Sequence, residues 1–247
     1  MKTLDQIRAG LDKDEFFLEF MPTMSLAEER CVGAEALIRW RHHDEFVSPL
    51  EFIPLAENTP LSGLLTFRVI ELIGRDLGEW LRASDGVHIG INVSPDLIGR
   101  GALEYAVQNA GIFDLTDKLL LEVTERGYPD KQALAALLSA KGRTKIALDD
   151  FGTGDANLLQ LSQMHADVLK LDKFFVDQIV DTDNIPNIVK GLTAFALAME
   201  YELIAEGVES AVQVEVLREL GVQMSQGWYF SKSLPVNEFL EFYKSRQ

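Results

Sequence analysis

Residues 144–154 read T-K-I-A-L-D-D-F-G-T-G. An apolar, β-branched run that predicts a buried strand ends in Asp149 and Asp150 and then in a turn punctuated by Gly152 and Gly154. Two adjacent carboxylates at the mouth of a buried strand cost free energy unless cations, donors or water satisfy them. The pair therefore points to a divalent metal site at the C-terminal end of a strand.

The pattern recurs along the chain. Residues 31–40 are apolar but carry Glu35 and Arg39, residues 88–94 deliver Asn92, and residues 119–125 deliver Glu122 and Glu125. Residues 168–172 carry Lys170, residues 203–208 carry Glu206, and residues 224–230 carry Gln226. With residues 16–24 at the front, eight strands are expected. Between them lie helix-period segments. Ser48, Pro49 and Glu51 read as a capping box, and Ser94 with Pro95 as a cap followed by a first-turn proline. Asn184 and Pro186 precede a helix whose Ile188, Val189, Leu192, Phe195 and Met199 suit one buried face, and Gly221 closes the helix that starts near Glu209.

Short buried strands alternating with helices imply parallel βα units. Eight units in 247 residues match an α/β fold of the (β/α)8 TIM-type barrel class, whose sites lie at the C-terminal strand ends. A doubly wound open sheet fits less well, because it gathers its ligands at one switch point, whereas here seven strands carry polar residues.

Composition narrows the chemistry. A 47% apolar content without linker or low-complexity stretch fits one domain over residues 1–247. No apolar run approaches membrane-spanning length, and the first sixteen residues lack a signal-peptide core, so a cytoplasmic protein is expected. A net charge of −16 opposes binding to duplex nucleic acid or anionic membranes. The lone Cys31 excludes an intrachain disulfide and reads as a packed residue. His42, His43, His88 and His165 lack zinc-site spacing, so hard oxygen ligands favour magnesium or manganese.

Taken singly, several residues admit plainer roles. Glu35 also suits an ion pair with Arg39 or Arg41, Asn92 its own turn, and the two aspartates a helix cap. Lys170 suits a buried salt bridge, and Trp228, Tyr229 and Phe230 suit barrel packing. Glu122, behind three leucines, is harder to explain away.

Seven pieces nevertheless stand in order: Glu35-Ala36-Leu37 within G-A-E-A-L-I-R-W, Asn92-Val93-Ser94, Glu122-Val123-Thr124-Glu125, Asp149-Asp150-Phe151-Gly152-Thr153-Gly154, Leu169-Lys170-Leu171-Asp172, Glu206-Gly207-Val208-Glu209 and Gln226-Gly227. Together they resemble the EAL domain family, the bacterial phosphodiesterases that cleave cyclic di-GMP, over essentially the whole chain. The resemblance implies a modified (β/α)8 barrel with an antiparallel first strand. It implies two magnesium or manganese ions, one held by Glu35, Asn92, Glu122 and Asp149, the other by Asp149, Asp150 and Glu206, with calcium inhibiting. Lys170 is implied to touch the attacking water, and Lys170 and Glu206 both remain open as the base. Arg39 is implied to grip a substrate phosphate, and Gln226 to complete the substrate-facing surroundings of the second ion. Glu125 and Glu209 are implied to brace the site from behind. Hydrolysis of cyclic di-GMP to linear 5′-pGpG, in a homodimer acting in motility and biofilm signalling, follows as the expected function. A noncatalytic cyclic di-GMP receptor or partner-binding module is the alternative. The chain departs from the family's usual Tyr-Gln-Pro at Phe20-Met21-Pro22, and from Tyr-Ser-Ser-Leu at Asp155-Ala156-Asn157-Leu158.

Overall fold

The computed structural model describes residues 2–94, 97–124, 143–152 and 166–247. Among the described residues there are ten strands: β1 (Phe16–Ser25), β2 (Cys31–His42), β3 (Glu45–Val47), β4 (His88–Asn92), β5 (Leu119–Thr124), β6 (Lys145–Phe151), β7 (Val168–Leu171), β8 (Glu202–Ala205), β9 (Met224–Ser225) and β10 (Leu234–Pro235). Eight of them close a barrel in the order β1-β2-β4-β5-β6-β7-β8-β9 and back to β1, while β3 and β10 pair outside the ring. From β2 through β9 the barrel strands pair in parallel, whereas β1 is antiparallel to both neighbours.

The reversed first strand has a local cause. Residues 26–30 are too few for a crossover, so β1 and β2 must form a hairpin. Its turn closes through Ser25 N to Arg30 O at 2.9 Å and places Glu29 at φ 56°.

Eight α-helices are described: α1 (Leu4–Asp12), α2 (Pro49–Ala56), α3 (Pro60–Ala83), α4 (Ala102–Asn109), α5 (Lys173–Val176), α6 (Asn187–Ala198), α7 (Ala211–Glu219) and α8 (Val236–Ser245). Caps set their starts. Thr3 and Gln6 form a capping box on α1, as Ser210 and Gln213 do on α7. The expected Ser48–Glu51 box is corrected to a single cap, because the Ser48 hydroxyl takes the Leu50 amide. Gly221 adopts φ 82° just past α7, as its reading as a left-handed cap requires. Pro95 lies outside the described residues.

The buried face of α6 also needs correction. It is Val189, Thr193 and Ala196 that are buried, flanked by partly buried Leu192 and Phe195, while Ile188 and Met199 are exposed. Thr193 is tolerated there because its hydroxyl donates to the Val189 carbonyl at 2.9 Å. A polar residue with an internal partner therefore occupies the centre that an apolar count assigns elsewhere.

Most of the core lies between strands and helices. Leu18, Phe20, Ile89 and Ile91 pack with Leu72, Ile73, Leu77 and Phe239 on one side; Leu169, Leu171 and Leu203 pack with Val189, Val214 and Leu217 on the other. Cys31 belongs to this core: it is fully buried, its thiol approaches the Gly33 carbonyl at 3.3 Å, and burial pushes its pKa up to about 11.

The opposite strand faces fill the barrel in layers. At the N-terminal ends Lys145 pairs with Glu202 at 2.8 Å near His88, whose imidazole burial pushes down to about 4 and so keeps neutral. Above it Leu120, Ala147, Val168 and Ile204 form a small apolar layer with Met224 against it. Two residues further along the same strands come Glu122, Asp149, Lys170 and Glu206. The apolar layer is the floor on which the polar one stands.

Candidate active site

Period-two alternation carries each strand from the floor to the polar layer. Neighbouring strands hold these residues in step: Glu35 pairs with Gly90, Asn92 with Glu122, and Lys170 with Ile204. On β6 a register irregularity falls between Leu148 and Phe151, and Asp150 takes φ 58°, unusual for a residue other than glycine. The irregular turn lets consecutive aspartates serve one cluster, which a regular strand would send to opposite faces. The Asp150 amide donates to Asp149 Oδ1 at 3.0 Å, and the helix that either aspartate would cap lies outside the described residues.

Lys170 is the hub. Its Nζ lies 2.6 Å from Glu206, 2.8 Å from Glu122 and 3.2 Å from each of Glu35 and Asp149. Burial by itself would lower its pKa; the carboxylates, led by Glu122 and Glu206, reverse this and hold it well above the usual lysine value. Burial pushes Glu122 well up, reinforced by the charge on Glu35 and opposed by Lys170. Burial likewise raises Glu206 to about 8 against the pull of Lys170.

The alternative pairings of Glu35 and Asn92 are corrected here. Asn92 donates through Nδ2 to Glu35 Oε1 at 2.8 Å rather than serving its own turn, and Glu35 faces Lys170 rather than an arginine. Arg39 instead donates through Nε to Glu19 at 2.8 Å, and Arg41 stacks over Phe17 and Phe46.

The cluster fits cations. Four carboxylates face one ammonium, and an ionised set of that kind is under-compensated in a buried place. Among the described residues, Asp149, Asp150 and Glu206 bring oxygens within 4.8 Å of one another. Carboxylate and amide oxygens suit hard divalent ions rather than zinc.

A cleft of about 260 Å³ opens beside the cluster, lined in part by Met21, Glu35, Leu37, Glu206, Gln226 and Trp228. Gln226 is buried and donates to Thr23 Oγ1 at 2.7 Å. Glu209 also lines the cleft, where Lys173 reaches it at 2.9 Å. Glu125 and the loop containing Asp155, Ala156 and Asn157 lie outside the described residues. The packing role read for Trp228 and Tyr229 is corrected: both are exposed, and Lys232 sits over the Trp228 ring. Phe230 does pack, partly buried, against the core.

One site residue escapes the reading of polar residues. A Cβ on Gly90 would meet Glu122 Oε1 at 2.1 Å, so its lack of a side chain is what gives the Glu122 carboxylate room. The available signal is a glycine in the middle of the buried run H-I-G-I-N.

Residues 4–233 match the family model described as the EAL domain. The chain is similar to the probable cyclic di-GMP phosphodiesterase PdeB of Escherichia coli K12, with 36% identity over 242 residues covering 96% of this chain and 46% of PdeB. It is also similar to the probable cyclic di-GMP phosphodiesterase PdeN of the same organism, 31% identical over 250 residues, covering 97% of this chain and 47% of PdeN. The chain thus spans just under half the length of these relatives. Among solved structures, the PaMucR phosphodiesterase in complex with c-di-GMP superposes with a TM-score of 0.83 at 31% identity, covering 96% of this chain and 98% of that one. Among the described residues, no helix is long and apolar enough to cross a membrane.

Proposed function

The chain belongs to the EAL domain family, and on that premise we propose that it hydrolyses cyclic di-GMP to linear 5′-pGpG as one catalytic unit. The observation that carries this reading is the meeting of Glu35, Glu122, Asp149 and Glu206 on Lys170 at the C-terminal mouth of the barrel. Relatives named as phosphodiesterases of this nucleotide support it.

Glu35, Asn92, Glu122 and Asp149 would hold one magnesium or manganese ion, and Asp149, Asp150 and Glu206 a second. Bound there, the ions supply charge neutralisation at the phosphodiester and a lowered pKa for water. The protein's own groups do the rest. Lys170, surrounded by carboxylates, stays protonated and donates to the water and to the oxygens that gain charge. Glu206 is the most exposed of the four carboxylates on Lys170 and lines the cleft, which supports it as the group that would accept the proton of water. Water adds to phosphorus, the bond to the 3′ oxygen breaks, and the product keeps a 5′ phosphate.

Arg39, two residues beyond Leu37 on the face of β2 that lines the cleft, receives a phosphate of the substrate through charge-assisted hydrogen bonds. Gln226, Met21 and Trp228 line the same cleft.

The test is incubation of purified protein with cyclic di-GMP and magnesium or manganese, beside calcium and metal-free controls, with products separated by chromatography. Metal-dependent pGpG is the expected result. Folded protein that binds the nucleotide without cleaving it would make the chain a receptor instead, and faster cleavage of cyclic AMP would change the substrate.

A further inference from the structure

Arg39 does not stand alone. Its Nε donates to Glu19 Oε2 at 2.8 Å, its Nη2 to Ser233 Oγ at 3.1 Å and its Nη1 to the Ile38 carbonyl at 3.2 Å. Ser233 in turn donates its hydroxyl hydrogen to Glu19 Oε2 at 2.7 Å, which closes a triangle. Three chain segments meet there: Glu19 on β1, Arg39 on β2, and Ser233 just before β10, whose Pro235 pairs with Glu19. The arginine and the glutamate are each about four-fifths buried, with side-chain exposures of 20% and 22%.

Donor counting shows what the triangle leaves over. A guanidinium has about five N–H donors in a planar fork, and the bonds to Glu19, Ser233 and Ile38 engage one on each nitrogen. One hydrogen on Nη1 and one on Nη2 remain without a partner among the described residues. Two donors on the terminal nitrogens are the arrangement that grips a phosphate in bidentate fashion. An arginine side chain otherwise loses rotamer freedom when a ligand fixes it; here that loss is taken in folding.

We infer that Glu19 and Ser233 are positioning residues that hold Arg39 with its terminal nitrogens presented to an anionic substrate. The inference rests on the phosphodiesterase reading above. Glu19 has two opposed effects. It fixes the guanidinium, and it also partly neutralises the charge that the phosphate meets.

The test compares KM and kcat for cyclic di-GMP in Glu19→Ala, Glu19→Gln, Ser233→Ala and Arg39→Ala, with thermal melting as a check on folding. Glu19→Ala is expected to raise KM by about tenfold, the scale of one charge-assisted hydrogen bond, with kcat within about twofold of the parent. Glu19→Gln keeps an acceptor for both Arg39 and Ser233 and removes the neutralising charge, so it should restore KM to the parent value or below. Ser233→Ala should raise KM less than Glu19→Ala does. A raised KM in Arg39→Ala beside an unchanged KM in Glu19→Ala overturns this inference alone. So do equal losses of kcat in Glu19→Ala and Glu19→Gln, since a purely structural role would give them. A parent protein without turnover removes the phosphodiesterase reading and this inference with it.

Discussion

The Lys170 ammonium stands 2.6 Å from the Glu206 carboxylate, the shortest of its contacts with four acidic side chains. Lys170 thus supplies the positive charge at the centre of the cluster. A single ammonium holds the carboxylates together, but it cannot balance all four once they are ionised, and that excess is what a divalent ion would meet.

Metal binding should therefore stabilise the fold by mass action. At free magnesium or manganese about 100-fold above the dissociation constant, the gain is about 2.7 kcal/mol, or about 5–10 °C in melting temperature for a chain of this size. Asp149→Asn removes the ligand expected to serve both ions. It should abolish both turnover and the metal-induced shift while leaving the metal-free melting temperature near that of the parent. Differential scanning fluorimetry with and without chelator measures this, and a full metal shift in Asp149→Asn would take Asp149 out of the metal set.

Replacing the hub should separate stability from chemistry. Lys170→Met leaves Glu35, Glu122, Asp149 and Glu206 without their common partner, and loss of one member of a buried ionic group costs about 3–5 kcal/mol. Metal should recover much of that stability, because it supplies positive charge to the same oxygens, yet turnover should stay at least about 100-fold down for want of the proton donor. Denaturant melts in chelator and in manganese, run beside the product assay, would show it. Recovery of turnover along with stability would deny Lys170 any part in the reaction.

The acidic cluster also fixes the sign of a pH effect. Burial raises Glu206 from the usual carboxylate value to about 8 and moves Glu122 in the same direction. A carboxyl group whose folded pKa is raised contributes stability that is complete below its unfolded value of about 4.3 and lost as pH rises through the folded value. Metal-free protein should thus lose melting temperature between about pH 5 and 8. Saturating magnesium should flatten the slope, since ion binding favours the ionised form and releases protons. Melting temperatures across that range with and without metal suffice, and a metal-free protein that gains stability toward pH 8 would contradict the assigned burial.

Calcium should occupy the oxygen cluster without supporting hydrolysis. It takes more ligands at longer and looser distances than magnesium, and it therefore acidifies water less. With manganese held near its half-saturating level, added calcium should lower turnover in a competitive manner. Turnover in calcium alone equal to that in magnesium would require another account of the reaction.

Much of the barrel is legible in the sequence because most barrel strands are short buried runs that end in or near a polar residue that a core would not otherwise keep. The reversed first strand is not in that pattern, which reads as parallel units throughout; only the family resemblance implies it, and the few residues between Ser25 and Cys31 are the local signal that the pattern passes over. The partners of the polar residues are less legible. Lys170 lies 135 positions from Glu35 and 48 from Glu122, so their meeting depends on barrel closure rather than on any local pattern. Arg39 and Ser233 are 194 positions apart, and a serine near a chain end gives no signal of an arginine waiting for it. Thr193 defeats an apolar count for the opposite reason, since its hydroxyl is satisfied within its own helix.

Gly90 gives the most economical test of the site's geometry. It carries no chemistry, and an added Cβ would stand 2.1 Å from Glu122 Oε1 and 2.9 Å from Glu122 Cδ. The strand backbone of β4 is held on both sides, by β2 and by β5, so the carboxylate rather than the backbone must give way. Gly90→Ala should displace Glu122 from Lys170 and from its place among the metal ligands, weakening apparent manganese affinity at least about tenfold and lowering turnover accordingly. Alanine suits a strand interior better than glycine in the unfolded-state balance, so lost activity without a collapse in melting temperature is the expected signature. Normal manganese affinity in Gly90→Ala would mean that Glu122 does not serve the metal site from the position seen here.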